Sequence, residues 1–276
     1  MTPSVPPQTH RIDALNIAIH ADRQQLGFAA ARAVAAWLQD RIRANGRARV
    51  VFACAPSQDE FLAALVRPEA CGIAIPWQKV TVFHMDEYVG LPGDHLQCFR
   101  SYLRGHLLSH IQPAAFHPIA AEQPDSAFVC TRYAERLAEA PIDLVCLGIG
   151  ENGHIAFNDP PVANFHDPVP VKTVELDLAC RQQQVNDNCF PTLDAVPRQA
   201  ITLTIPVFRN ARKLMVQVPG PRKAQAVRDA LLGPIATACP ASILRLHPDA
   251  TLHLDAHSAA NFLADQAAAG TRHEHS

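Results

Sequence analysis

Apolar residues along this chain come in blocks with two different periods. Over 23–44, Leu26, Ala30, Ala33 and Trp37 recur at helical spacing, which predicts a helix with one buried stripe. The next block, ARVVFACA (48–55), is nearly continuous in apolar residues and predicts a strand covered on both faces. Ser57-Gln58-Asp59-Glu60 follows, directly ahead of another apolar run. Ser with Glu three places on is a capping box and predicts a helix start. The alternation then repeats. Strands are predicted at 80–85, 142–149, 213–219 and 250–255, and helices at 99–111, 127–140, 221–232 and 258–269. A run at 199–205 alternates with period two.

Strands separated by helical segments imply an α/β fold, with a mostly parallel sheet and helices on both faces in three layers. Neither a linker nor an internal repeat interrupts the pattern. The expected organisation is an N-terminal extension (1–22), a single α/β catalytic domain (23–269) and a flexible tail (270–276). Prolines gather in the connections, above all over 159–170, and mark a long irregular loop.

Composition narrows the function classes. Apolar residues make up 48% of the 276 and charged residues 18%, a globular balance. Lys+Arg is 24 and Asp+Glu is 26, so the net charge of −2 leaves no electrostatic footprint for nucleic acid or an anionic membrane. No apolar stretch reaches the length of a membrane span, and the Pro-rich start lacks the basic-then-apolar order of a signal peptide. The eight cysteines are scattered without a C-x-x-C pair, and the fourteen histidines are dispersed. The expectation is a cytoplasmic protein with reduced thiols, no metal and no cofactor.

In sheets of this kind ligands sit beyond the carboxyl ends of the strands, so the loops after 55, 85, 149 and 219 are the places to look. After 149, Gly148, Gly150 and Gly153 spell G-x-G-x-x-G behind a strand. A dinucleotide site needs a long helix to start in that loop, but Pro160 and Pro161 arrive within eight residues of Gly153. Two other readings stand. The glycines either wrap a small ligand with Glu151, His154 and Asp159 pointing inward, or they make a turn with an incidental histidine. After 85, Asp86 and Glu87 are either a solvated turn or a base tuned by a like charge. Ser57 is either an N-cap or, with Gln58, part of a phosphate site at a helix start, where Glu60 would compete for a donor. Arg222 and Lys223 open a helix, where the dipole disfavours cations unless an anion lies between. Two anion-friendly helix starts and two acid/base loops at one sheet edge suggest a small phosphorylated substrate and metal-free proton transfer.

FHMDEYVGLPGDH (83–95) and LGIGENGHIAFNDP (147–160) closely resemble signature segments of the glucosamine-6-phosphate deaminase (isomerase) family, in the same order. The resemblance spans roughly 23–260 and implies a modified doubly wound α/β sandwich. It implies conversion of glucosamine 6-phosphate and water to fructose 6-phosphate and ammonia. Asp86 then matches the general base that moves a proton from C2 to C1 through an enolamine. His154 matches the histidine that assists ring opening, and Asp159 stands where the family has a glutamate that orients it. Lys223 and Arg181 match the cations that hold the phosphate, with Ser57, Gln58, Gly153 and Glu87 in the neighbouring binding segments. Three departures stand out. Asn152 replaces an aspartate, Asp159 is one methylene short, and Ala55-Pro56-Ser57-Gln58 replaces a Gly/Thr-rich loop. They admit a related substrate such as galactosamine 6-phosphate, or a phosphosugar-binding protein with weak turnover. The related 6-phosphogluconolactonase branch has Thr after the histidine and Ser-Leu-Phe beyond it. Ile155-Ala156-Phe157-Asn158 here favours the deaminase branch. Family members occur as monomers and rings, so a homo-oligomer is open.

Overall fold

The computed structural model describes residues 6–273. In chain order its elements are β1 (Gln8–Ile12), β2 (Leu15–His20), α1 (Arg23–Asn45), β3 (Ala48–Phe52), α2 (Asp59–Leu65), α3 (Pro68–Cys71), β4 (Val80–His84), β5 (Asp86–Tyr88), α4 (Phe99–Leu103), β6 (Ala115–His117), α5 (Ser126–Ala138), β7 (Leu144–Leu147), β8 (Val171–Glu175), α6 (Leu178–Asn186), β9 (Gln199–Leu203), α7 (Ile205–Arg209), β10 (Lys213–Val218), α8 (Ala224–Leu232), β11 (Ala250–Asp255) and α9 (Ala260–His273). Eight strands form one sheet in the order β1-β2-β11-β10-β7-β3-β4-β6, parallel at every pairing except β1–β2. A small antiparallel sheet, β5-β9-β8, lies apart from it.

Period-two alternation sorts the core into two layers. Val50 and Phe52 of β3 face α1, α2 and Leu103 of α4. Val51 of the same strand faces the opposite layer, with Val129 and Tyr133 of α5, Val227 of α8, Phe262 of α9 and Ile201 of the small sheet. Burial on both faces explains why β3, β7 and β10 read as continuous apolar runs. From β3 the chain builds outward through β4 and β6 on one side and through β7, β10 and β11 on the other. The β3–β7 boundary is therefore the switch point of the doubly wound sheet.

Several expectations need correction. Residues 8–20, read as part of an extension, form a hairpin whose β2 pairs with β11 and extends the sheet. Residues 270–273, read as tail, continue α9, and 274–276 lie outside the described residues. The buried face of α1 carries Leu26, Ala30, Ala31, Val34, Ala35, Leu38 and Ile42, and Ala33 and Trp37 lie half-buried at its edge, because that face is centred beyond Leu26 rather than on it. The helix predicted over 99–111 passes from α4 into a π-turn at Arg104–Leu108. Asp86–Tyr88 is a strand of the small sheet rather than a loop, pairing with β9.

The capping box at Ser57 does not form. Pro56–Gln58 is a 3-10 turn without a side-chain cap. Glu60 turns instead to Arg23 at the start of α1, with contacts of 2.6 and 2.8 Å. The competing carboxylate is thereby removed from the turn.

Candidate active site

The segments leaving β3, β4 and β7 meet the turn ahead of α8 above the β3–β7 switch point. They line a cleft open to solvent, whose walls include Ser57, Gln58, Asp86, Gly150, His154 and Lys223. Asp86 and Lys223, 137 positions apart in sequence, thus face one space.

Asp86 sits at the β4–β5 junction, which His84 fixes from behind. The backbone N–H of Ile119 donates to His84 Nε2 (2.8 Å), so Nδ1 carries the proton and donates to the Asp86 carbonyl (2.9 Å). Burial lowers the His84 pKa to about 3, and the ring stays neutral at pH 7. The Asp86 side chain is 7% exposed. Burial drives its pKa well above the ordinary carboxylate value, and the carboxylates of Glu87 and Asp159 push it the same way. A base of this kind is poised to take a proton.

Glu87 does not join it. Adjacent residues in a strand point to opposite sides, and Glu87 faces α4. Its carboxylate accepts from the backbone N–H groups of Phe99 (2.9 Å) and Arg100 (3.0 Å) at the start of that helix. Glu87 is a buried helix cap, not a substrate ligand. Burial raises its pKa, against the pull of those hydrogen bonds and Arg100.

His154 stands in a closed ring of hydrogen bonds. Its Nδ1 lies 2.7 Å from Asn152 Oδ1 and 3.0 Å from Asp159 Oδ1. Both partners are acceptors, so Nδ1 holds the proton and Nε2 is the nitrogen left with a lone pair. Asn152 Nδ2 in turn donates to the same Asp159 oxygen at 2.9 Å. Burial favours protonation of Asp159, but hydrogen bonds from His154 and Asn152 outweigh it and hold the pKa low. Asn152 and Asp159 therefore stand behind the imidazole, outside the cleft. Glu151 turns outward to Arg222 (3.3 Å).

The glycines of this loop serve packing. A Cβ on Gly150 would lie 2.1 Å from the His154 ring. Gly153 has φ +82°, and a Cβ there would lie 2.7 Å from Cys239 Sγ. Gly153 is thus a turn residue rather than a binding residue. Replacing it with alanine is expected to cost about 1–2 kcal/mol for the left-handed backbone alone. Denaturant unfolding measures this, and an unchanged midpoint would contradict the assignment. Beyond Gly153 the chain continues in turns, with a bridge between Ile155 and Asn158, and no helix for a dinucleotide follows.

At the anion end, Ser57 Oγ accepts from Gln58 Nε2 (3.1 Å), which leaves the hydroxyl proton free to donate into the cleft. Lys223 is buried at the turn Pro221–Lys223 and pairs with no carboxylate among the described residues. Burial lowers its pKa, opposed by Asp187 and Glu151. Its neighbour Arg222 is tied to Asp187 and to the Asn186 carbonyl. Arg181 is misplaced by the sequence reading. Its guanidinium donates to the carbonyls of Leu193 (2.6 Å) and Val196 (3.1 Å), and so anchors α6 to the following loop. The α6 residues on the cleft are Gln183 and Gln184, which sequence reasoning passed over along with His84. Only the face of α6 turned to the cleft separates them from Arg181, and its mixed polar sequence LACRQQQVN gives no apolar stripe to orient it.

A switch-point cleft with a basic carboxylate, an imidazole and a lone lysine defines an α/β enzyme site for an anionic small molecule. The family described as glucosamine-6-phosphate isomerases/6-phosphogluconolactonase matches residues 21–253. A glucosamine-6-phosphate deaminase of Exiguobacterium sibiricum is 35% identical over 203 residues, 71% of this chain and 78% of that protein. One of Shouchella clausii is 33% identical over 82% of this chain and 90% of its own. The structure of a monomeric glucosamine-6-phosphate deaminase superimposes with a TM-score of 0.80 at 29% identity, over 89% of this chain and 99% of the other. A 6-phosphogluconolactonase of Shewanella baltica OS155 shares the fold at 19% identity, with a TM-score of 0.70 over 89% of this chain and 99% of the other. The chain belongs to the glucosamine-6-phosphate isomerase/6-phosphogluconolactonase family and is an enzyme of it. Its eight cysteines are free thiols, and no described helix is long and apolar enough to cross a membrane.

Proposed function

We propose that this enzyme is an amino-sugar-phosphate deaminase/isomerase that takes glucosamine 6-phosphate and water to fructose 6-phosphate and ammonia. The observation that carries the reading is the meeting of Asp86, His154 and Lys223 in one cleft. Lys223 and the Ser57 hydroxyl bind the phosphate. His154 Nε2 takes the O1 proton and passes it to the ring oxygen as the C1–O5 bond breaks, with Nδ1–H held by Asn152 and Asp159. Asp86 then removes the C2 proton of the open chain and returns it at C1 through an enolamine. One carboxylate serves both carbons, and its raised basicity suits the transfer. Water releases ammonia from the resulting imine. Ile155-Ala156-Phe157-Asn158 supports the deaminase branch over the lactonase branch.

The decisive assay follows ammonia and fructose 6-phosphate together, with galactosamine 6-phosphate and 6-phosphogluconolactone as competing substrates. Lactone hydrolysis without ammonia would overturn the reading. The phosphate assignment has its own test. Lys223→Met removes a charge-assisted contact worth about 1.5–3 kcal/mol and is expected to raise KM by roughly ten- to a hundredfold. Arg181→Ala is expected to leave KM unchanged while lowering stability. Equal KM effects in the two variants would return Arg181 to the phosphate site.

A further inference from the structure

His154 has a second set of neighbours on the side away from the cleft. The donor atoms of His154, Asp159 and Cys180 all lie within 4.8 Å of one another, and all three residues are buried. Asp159 Oδ2 has no hydrogen-bond partner, and the Cys180 thiol interacts with the same carboxyl group. We propose that these three side chains form a site for a thiophilic divalent cation, Zn²⁺ or Co²⁺, and that its occupancy shuts off the imidazole. The inhibition rests on the deaminase reading, whereas the binding rests on the three side chains alone.

One nitrogen, one carboxylate oxygen and one sulfur are the donor types that Zn²⁺ takes at about 2.0–2.3 Å, with water completing a tetrahedron. Ligands at those lengths sit roughly 3.3–3.7 Å apart, so the cluster closes with separations shrinking by about 1.5 Å at most. The route in passes His154, which borders the cleft. Coordination through Nδ1 needs its lone pair. The Nδ1 proton, donated to Asn152 and Asp159 in the free protein, leaves, and Nε2 takes one up from solvent. The Cys180 thiol gives its proton to solvent. One proton is released per ion bound, and no electrons are exchanged. The imidazole then carries N–H on Nε2 and no longer accepts a proton there. Lys223 and Ser57 are untouched, so turnover falls while KM holds.

The test titrates reduced, metal-free full-length protein with Co²⁺, in wild type and in Cys180→Ser, whose hydroxyl still faces Asp159 but is a poor ligand. Cys180→Ala is the second variant. The wild type is expected to develop thiolate-to-cobalt absorption that saturates at one ion and is displaced by Zn²⁺. Both variants are expected to lack it. Zn²⁺ that lowers wild-type kcat at least tenfold is expected to leave Cys180→Ser unaffected. The same cobalt spectrum in wild type and variants, or equal zinc inhibition in them, overturns the site. Absence of turnover in metal-free wild type overturns the deaminase reading instead, and the cobalt spectrum then decides the site alone.

Discussion

Asp86→Asn is expected to lower kcat by about 10²–10⁴-fold, the range a positioned acid–base group contributes, with little change in phosphosugar affinity. The amide keeps the shape of the side chain but has no lone pair basic enough for the C2 proton. The same substitution is expected to stabilise the protein at neutral pH. The folded-state pKa of Asp86 lies above its unfolded value of 3.8. The contribution of this carboxyl to stability is therefore fully present below the unfolded pKa, and is lost as pH rises through the folded value. As pH rises through the folded value the wild type must ionise a buried, poorly solvated carboxyl, whereas the variant keeps a neutral amide. Thermal unfolding should show the variant ahead at neutral pH, with the gap closing in acid. In the wild type, activity should rise with pH through a limb above the ordinary carboxylate range as Asp86 ionises. Near-normal turnover of Asp86→Asn would remove Asp86 as the base. A lower Tm at pH 7 would show that its charge is stabilised by something other than what surrounds it here.

The parts of the fold legible in the sequence are those whose physics is local or strongly periodic. Val50, Val51 and Phe52 announce a strand because both faces are covered, and the long stripe of α1 announces a helix. The three-residue strands β5 and β6 carry too few residues for a period to emerge, and only their partners make them strands, whereas Leu15, Ile17 and Ile19 of β2 alternate and the hairpin at 8–20 was legible. The site divides in the same way. Asp86, His154, Ser57 and Lys223 could be placed together because strand ends converge on one sheet edge. Glu87 was a readable error, because two neighbours in a strand cannot both face one cleft. Arg181 was not readable, since its direction depends on carbonyls at 193 and 196 that only tertiary packing brings near.

Asn152→Asp, which restores the residue usual in the family, is expected to harm this enzyme at neutral and alkaline pH. In the present ring Asn152 does two things that a carboxylate cannot do together. It accepts from His154 Nδ1 and donates to Asp159 Oδ1, 2.9 Å away. An ionised Asp at 152 would set two carboxylates at that distance, where repulsion is roughly 5–6 kcal/mol at an effective dielectric of about 20. The pair would relieve it by sharing a proton, with one pKa strongly raised. While that proton is held, the acid group mimics the amide, since one oxygen accepts from the imidazole and the O–H donates to Asp159. Once it is lost, the two carboxylates repel and part, and the imidazole, still N–H at Nδ1, is pulled out of its aim into the cleft. The variant should therefore match wild type in acid and fall by about a hundredfold as pH rises, the low end of an acid–base contribution. A pH profile of kcat for both enzymes measures this, and a variant faster than wild type above neutrality would refute it. Adding Asp159→Glu supplies the methylene that the family has at that position and lets the second carboxylate move away. The double variant should recover most of the loss, which would identify Asn152 and Asp159 as a coupled pair of changes rather than two separate defects.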